Sequence, residues 1–242
     1  MRHSGSGTWF LQSRQYLQWK SSRKPNLWLH GLAGCGKTVL TSSIVKDIQQ
    51  EVVSGPHASS SPILLFFFFD FRDVRKQSLE EMALSLAYQL YGQDKNFQHP
   101  LDSLSKACDN GYRKPSTASL LEIILKALLS IDRQVFIILD ALDECAIPRQ
   151  EMLAWIQKVA ESTSKRINVL VTSRKEPDID SVLGRARLMD QNIAVQADVV
   201  DEDIRAYITH RLRTDSGLKR WEHREDIQQM IQESLMRMSA GM

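Results

Sequence analysis

Cysteine is scarce. Three of the 242 residues, Cys35, Cys108 and Cys145, are too few and too irregularly spaced for a disulfide framework or a zinc site. The chain is therefore read as reduced and intracellular, with a cytoplasmic location expected. Charge of one sign is also missing, since 31 Lys+Arg stand against 29 Asp+Glu. So even a balance gives no field strong enough to argue for nucleic acid or an anionic membrane, and nucleic acid is not expected as a partner. Long hydrophobic runs are absent. The longest, Pro62 to Phe69, stops at Asp70 and is far too short for a membrane-spanning helix. The opening Met-Arg-His-Ser-Gly-Ser-Gly has no apolar segment of the kind a secretory signal needs. The histidines show no metal-ligand spacing, and no internal repeat is visible.

What is present is an ordinary globular composition, 43% hydrophobic, long enough for one large domain or one domain and part of a second. Helical periodicity predicts a helix over residues 8–19 with Thr8 as its N-cap, then a short strand Asn26 to His30 and a helix from about Lys37 to Val53. Ile63 to Phe69 does not alternate, so both faces should be buried, as in a central or parallel strand. Ser78 with Glu81 forms a capping-box pattern opening a helix to Tyr91. Gln93 to Pro100 reads as a polar connector. A weak helix at Leu101 to Asp109, ending near Asn110-Gly111, precedes a strong one at Ser116 to Ser130. Val135 to Leu139 and Asn168 to Thr172 are further unalternating strands, flanking a helix at Arg149 to Glu161. A short fifth strand lies near Ile193 to Val195. Strands alternating with helices in this way predict an α/β three-layer sandwich with a mostly parallel sheet. After about Val199 only helices remain, at Asp201 to Arg213 and Glu225 to Met238. A boundary is placed at 197–200: a domain over 1–197, then the incomplete start of a helical domain over 198–242.

Gly31-Leu32-Ala33-Gly34-Cys35-Gly36-Lys37-Thr38 fits G-x-x-x-x-G-K-[ST] at every fixed position, between a predicted strand and a predicted helix. Glycines let successive backbone N–H groups close around phosphate oxygens, and the helix start adds its positive end. Lys37 supplies charge for the β- and γ-phosphates, and Thr38 a hydroxyl for Mg²⁺. Residues 31–38, with Val39 following, are the candidate nucleotide site.

Phe136-Ile-Ile-Leu-Asp140 ends in a carboxylate where a buried strand emerges, the position that holds Mg²⁺ in phosphate-loop proteins. Asp143 and Glu144 follow, either able to orient or deprotonate an attacking water, with Glu144 preferred slightly. The bland alternative is that these acids cap a helix or are simply solvated. Thr172, Ser173 or Arg174, at a third strand end, can sense the γ-phosphate; a plain exposed arginine is the competing reading. Arg72 and Arg75 can reach a phosphate or form a solvated charge cluster. Trp9, Trp19 and Trp28 read as core, with Trp9 and its helix able to lie beside the nucleotide base. Cys35 and Cys145 read as space-filling, because neither has a histidine partner to make it a nucleophile.

Trp9-Phe-Leu with Trp19, the Leu27-Trp-Leu-His-Gly-Leu-Ala-Gly-Cys-Gly-Lys-Thr-Val-Leu40 segment, Phe66-Phe-Phe-Phe-Asp-Phe-Arg72, Ile137-Ile-Leu-Asp-Ala-Leu-Asp-Glu144, Val169 to Arg174 and Asp203-Ile-Arg-Ala-Tyr207 occur in an order that resembles the NACHT domain of STAND-type NTPases, in particular the fungal NOD-like receptors of heterokaryon incompatibility. The resemblance covers roughly residues 8 to 242. Ala141 departs from it, standing where a glycine is common, and little effect is expected from so small a side chain. The resemblance implies an ATP- or GTP-driven switch, closed with diphosphate and self-associating with triphosphate. It also implies an N-terminal effector and a C-terminal repeat sensor in the parent protein. ATP is favoured, since neither N-K-x-D nor D-x-x-G after the acidic strand occurs. Slow hydrolysis in a signalling switch is the leading expectation. A general AAA-type or kinase-like P-loop ATPase is the alternative, though no arginine-rich lid is evident.

Overall fold

The computed structural model describes residues 7–22, 25–54, 61–109, 112–146, 149–162, 166–185 and 188–195, and beyond them 205, 207–212, 214, 215, 217, 221 and 224–239. The expected first helix is two helices, α1 (Thr8–Leu11) and α2 (Arg14–Ser21). Ser13 causes the break: its hydroxyl accepts the Tyr16 N–H at 3.2 Å and so caps a second helix. The residue before α1 is Gly7, at φ +78°, and Thr8 is already helical. A Cβ at Gly7 would come within 2.9 Å of Leu40 and of Ser43, so glycine there lets the N-terminal segment lie against the next helix.

β1 (Asn26–His30), α3 (Lys37–Ser54) and β2 (Ile63–Phe68) follow. Next come α4 (Leu79–Gln93), α5 (Lys95–Ala107), α6 (Thr117–Ser130), β3 (Val135–Asp140), α7 (Gln150–Ala160), β4 (Ile167–Ser173), α8 (Pro177–Leu183) and β5 (Gln191–Ala194). The five strands form one parallel sheet in the order β2-β3-β4-β1-β5. All residues of β3 and β4 are buried, as their unbroken apolar runs require.

Successive strand residues point to opposite faces, so each strand feeds two cores. One face carries Leu27, Leu29, Leu64, Phe136, Ile138 and Leu170, packed with Phe10, Trp19 and the α3 residues Leu40, Ile44 and Ile48. The other carries Trp28, Leu65, Ile137, Val169 and Val171, packed with residues of α4 to α8 such as Leu86, Phe97, Ile124, Trp155 and Ile179. Trp19 also gives its indole N–H to the Val169 carbonyl at 3.0 Å, and Asn168 Nδ2 donates back to the Trp19 carbonyl at 2.6 Å. The helix before β1 is thereby bonded to the middle of the sheet.

β2 is parallel, one of the two readings expected for it; it stands at the sheet edge, and its apolarity reflects helices over both faces. Its outer backbone is paired by α4: Leu64 exchanges hydrogen bonds with the Gln93 amide at 3.0 and 2.8 Å, and Phe66 with the Gln89 amide at 2.9 and 2.8 Å. The Gln93 to Pro100 connector is largely helix. Asp94 accepts the Asn96 N–H at 3.3 Å to start α5, and Phe97, 1% exposed, anchors it in the core despite Pro100 inside the helix. α8, with Pro177 in its first turn, was not anticipated.

The Asn110-Gly111 turn, the boundary at 197–200 and the start of the helix expected at Asp201 lie outside the described residues. Residues 207–212 are helical, and the final helix runs Glu225–Ser239. Among the described residues no helix is long and apolar enough to cross a membrane.

Candidate functional site

At the carboxyl ends of the strands, β1 finishes at His30 and α3 begins at Lys37. The loop between them turns on Gly34 and Gly36, both left-handed at φ +79° and +81°, a conformation that side chains disfavour. Gly31 is required for a different reason: a Cβ there would meet Cys35 Sγ at 2.7 Å and the Val195 carbonyl at 2.8 Å. Cys35 is buried and fills this space, whereas Leu32, at 77% exposure, lies on the outside of the loop. Ala33 and Gly34 are exposed, and Val39 sits on the outward side of the first turn of α3. Lys37 Nζ donates to the Gly31 and Leu32 carbonyls at 2.8 and 2.7 Å and lies 3.6 Å from Cys35 Sγ. Its ammonium is thus tucked into the loop, bonded to neutral carbonyls that a more strongly accepting anion can replace.

Opposite the loop, Asp140 is fully buried at the end of β3. Thr38 Oγ1 donates to its Oδ2 at 2.7 Å. Its Oδ1 receives Thr41 Oγ1 at 2.7 Å and Thr172 Oγ1 at 2.6 Å. Thr41 lies one helical turn after Lys37, whose carbonyl is its other acceptor at 3.0 Å. Three hydroxyls thus satisfy a buried carboxylate that has no ion-pair partner among the described residues, a solution to the cost of burying charge that needs no cation. A threonine that gives its proton to Asp140 keeps oxygen lone pairs to offer. Thr38 and Asp140 together form an all-oxygen donor set of the kind a hard divalent cation such as Mg²⁺ takes.

Beyond Asp140 the chain turns through Ala141, left-handed at φ 57° and ψ 50°, into a short 3-10 turn, Leu142–Glu144. The Ala141 N–H donates to Thr172 Oγ1 at 2.9 Å, which fixes the corner against β4. The turn sends its two acids in different directions. Both oxygens of Asp143 are engaged by Arg174: Oδ1 accepts the backbone N–H at 2.9 Å and Oδ2 accepts Nε at 3.0 Å. Among the described residues Glu144 Oε2 accepts only the Phe71 N–H, at 3.1 Å, from the loop after β2. Arg174 itself is half exposed and begins one residue after Ser173, whose carbonyl accepts the Gly31 N–H at 3.3 Å. So Arg174 adjoins the first glycine of the loop.

Other sequence candidates fall elsewhere. Thr172 and Ser173 are fully buried; Thr172 is spent on Asp140 and Ala141, and Ser173 accepts the Trp28 indole N–H at 2.9 Å. Both side chains are enclosed, and Arg174 is the member of that trio with an exposed side chain. Arg72 and Arg75 are exposed and pair with Asp70 and Asp73 at 3.1 Å each, matching the solvated-cluster reading. Burial pushes the Cys145 thiol up to about 11, consistent with a space-filling role. Trp28 and Trp19 are core. Trp9 is partly buried against the cluster holding Cys35 and Val195, and its indole N–H has no partner among the described residues. Thr41 and Arg149 were not anticipated at all.

Comparison with known proteins places this geometry. A profile of the nephrocystin 3 N-terminal family matches residues 5–174. The vegetative incompatibility protein HET-E-1 of Podospora anserina is 28% identical over 215 residues, which is 84% of this chain and 15% of that protein. The chain therefore spans a small part of the curated relative's length. Among solved structures, Cdc6p from Pyrobaculum aerophilum superposes with a TM-score of 0.54 at 16% identity, covering 85% of this chain and 49% of that one. The ORC1 protein of Aeropyrum pernix, solved in complex with DNA, gives 0.51 at 12% identity, covering 89% and 56%. These structural likenesses establish the P-loop NTPase fold. The match over most of the chain, with the loop and acidic strand end facing each other, shows that the chain belongs to the nephrocystin 3 N-terminal family, and resembles the NACHT domain of STAND-type NTPases as found in fungal NOD-like receptors of the heterokaryon-incompatibility type.

Proposed function

We propose that the chain is the nucleoside-triphosphate-binding switch domain of a longer fungal NOD-like receptor, with slow hydrolysis, acting in self/non-self recognition or programmed cell death. The observation that carries this reading is the 2.7 Å bond between Thr38 and Asp140, which joins the glycine loop to the acidic strand end. In this reading the amides of residues 31–39 cradle the phosphates and Lys37 leaves its loop carbonyls for the β- and γ-phosphates. Thr38 and Asp140 hold Mg²⁺, which when bound neutralises developing charge on the phosphate oxygens. Glu144, with one hydrogen bond on its carboxylate among the described residues, orients or deprotonates the attacking water. Asp143, saturated by Arg174, orients that arginine instead. Arg174 is held by its backbone N–H and Nε, and neither Nη has a partner among the described residues. A guanidinium anchored at one side and open at the other suits a γ-phosphate oxygen.

ATP is preferred to GTP, because no guanine-reading tetrapeptide is present. Trp9, whose indole N–H beside the loop cluster has no partner among the described residues, is a donor for the base side. Residues 1–197 form the nucleotide domain and 198–242 begin a helical domain. The parent protein carries an effector and a repeat sensor, resides in the cytoplasm, and self-associates when active; nucleic acid is not among its partners.

Calorimetry with ATP, ADP and GTP, with and without Mg²⁺, tests the reading. Lys37→Ala should abolish triphosphate binding, and Glu144→Gln should preserve binding while slowing hydrolysis. Turnover of tens per second would instead favour an AAA-type or kinase-like enzyme. If Asp143→Asn, not Glu144→Gln, gives the slow but binding-competent protein, the roles of the two acids are reversed.

A further inference from the structure

Arg149 stands at the N-terminus of α7, in none of the motifs above, yet it is 5% exposed. Long cations are almost never buried to this extent unless they are paired, and here four of the five guanidinium N–H groups are engaged. Nη1 donates to the Asp143 carbonyl at 2.9 Å, Nε to Asp178 Oδ2 at 3.0 Å, and Nη2 to Glu176 Oε2 at 2.5 Å and Asp178 Oδ1 at 3.3 Å. Glu176 and Asp178 flank Pro177 at the start of α8, two and four residues after Arg174. The contacts therefore close a ring. Arg174 is held by the Asp143 carboxylate, Asp143 by Arg149 through its carbonyl, and Arg149 by the two acids that follow Arg174 in the chain. A plain tie between α7 and α8 would need only the carboxylates. The bond to the Asp143 carbonyl adds the acidic turn to the clamp, and that turn carries the only ion-pair partner of Arg174 among the described residues.

We propose that Arg149 is a positioning residue for nucleotide discrimination: it locks the Asp143 turn and the Arg174–Asp178 segment into one unit, so that the open side of the Arg174 guanidinium is presented in a single place to a γ-phosphate. This rests on the reading of Arg174 as the γ-phosphate contact. Only a planar fork reaches three acceptor groups in this arrangement, and a lysine ammonium does not reproduce it.

The test uses the purified chain with Mg²⁺, and the ratio of the dissociation constants for ADP and ATPγS. Arg174→Ala should lower the triphosphate preference about tenfold, the size of one charge-assisted contact. Arg149→Met should lower it to within about twofold of that value with ADP affinity little changed, and the double variant should lose nothing more, because both act through one contact. Arg149→Lys should recover melting temperature more than it recovers the ratio, whereas a purely structural role would restore both together. Glu176→Gln and Asp178→Asn, each keeping the arginine, should shift the ratio in the same direction, and they decide the matter if Arg149→Met does not fold. A preference lost in Arg174→Ala but kept in Arg149→Met, or in both acid variants, overturns the proposal alone. A preference unchanged in Arg174→Ala overturns the sensor reading and the proposal with it.

Discussion

Thr41→Val isolates the hydroxyl cage around Asp140. Valine matches threonine in shape and is similar in helix propensity, so the change removes a hydroxyl while leaving no cavity. Thr41 is fully buried, and its hydroxyl lies 2.7 Å from Asp140 Oδ1 and 3.0 Å from the Lys37 carbonyl. Oδ1 keeps Thr172 at 2.6 Å, so it is weakened but not orphaned. A hydrogen bond to a charged group contributes about 1.5–3 kcal/mol, and the loss here should be about 2 kcal/mol. For a chain of this size that is a fall in melting temperature of about 4–8 °C. Urea denaturation in chelator, without nucleotide, reads it most directly. The midpoint should fall with m unchanged, since a loss confined to the native state leaves the surface exposed on unfolding the same. The decisive comparison is the cycle with Asp140→Asn. If the hydroxyl acts through the carboxylate, the two changes should couple by at least about 1 kcal/mol. A Thr41→Val loss below about 0.5 kcal/mol, or additive losses in the cycle, would show that the cage does not hold Asp140, and the account of its burial would fail.

Gln89→Leu/Gln93→Leu should strip four hydrogen bonds from the edge of β2, leaving an apolar strand with open backbone. Sedimentation velocity should show concentration-dependent self-association in the double variant; a monomer at the concentrations where the parent is monomeric would refute the guarding role. Cys145 should make the fold alkali-sensitive. The buried thiol keeps its proton to about 11, against an ordinary value of 9.0, so the unfolded chain ionises first and is favoured as pH rises through that window. Between pH 8 and 11 the parent should lose about 1–2 kcal/mol more than Cys145→Ala in chemical denaturation, and equal slopes would count against burial of this thiol. Trp19→Phe should cost more than its lost volume implies, because the Val169 carbonyl at 3.0 Å loses its donor; hydrogen exchange in β4 should accelerate.

Much of the site was legible because it is local. Gly31 to Thr38 is one continuous motif whose geometry follows from its own residues, and Asp140 announces itself as the charge that ends a run of five apolar positions. What could not be read depends on pairing across the fold. Thr41 is an ordinary helix residue until β3 places a carboxylate opposite it. Arg149 reads as a surface cation at a helix start, and nothing local says that Glu176 and Asp178 return to meet it. The edge position of β2 was hidden because apolarity reports burial, and helices bury an edge strand as well as neighbouring strands do. The helix expected at Leu101 to Asp109 is the second half of α5; the first half reads as a connector because a single phenylalanine, Phe97, supplies the burial that overrides a polar segment with an internal proline.

Ala141 shows how closely the scaffold and the site are joined. A left-handed alanine costs about 1–2 kcal/mol relative to a right-handed one. Glycine would remove that strain, but it would also remove a methyl group that is 6% exposed, worth about 0.8 kcal/mol, and add backbone freedom to the unfolded chain. The terms nearly cancel, which gives a physical basis for expecting little effect from alanine at this corner. A larger side chain would gain no such compensation. The corner matters because its N–H is bound to Thr172 and its carbonyl accepts the Glu144 N–H at 2.9 Å. One strained residue thus sets the direction in which Asp143 meets Arg174 and Glu144 meets the Phe71 amide. Strain held at this point fixes the two carboxylates relative to Asp140, and under the proposed function it leaves the displacement of Lys37 from its loop carbonyls as the rearrangement that binding would require.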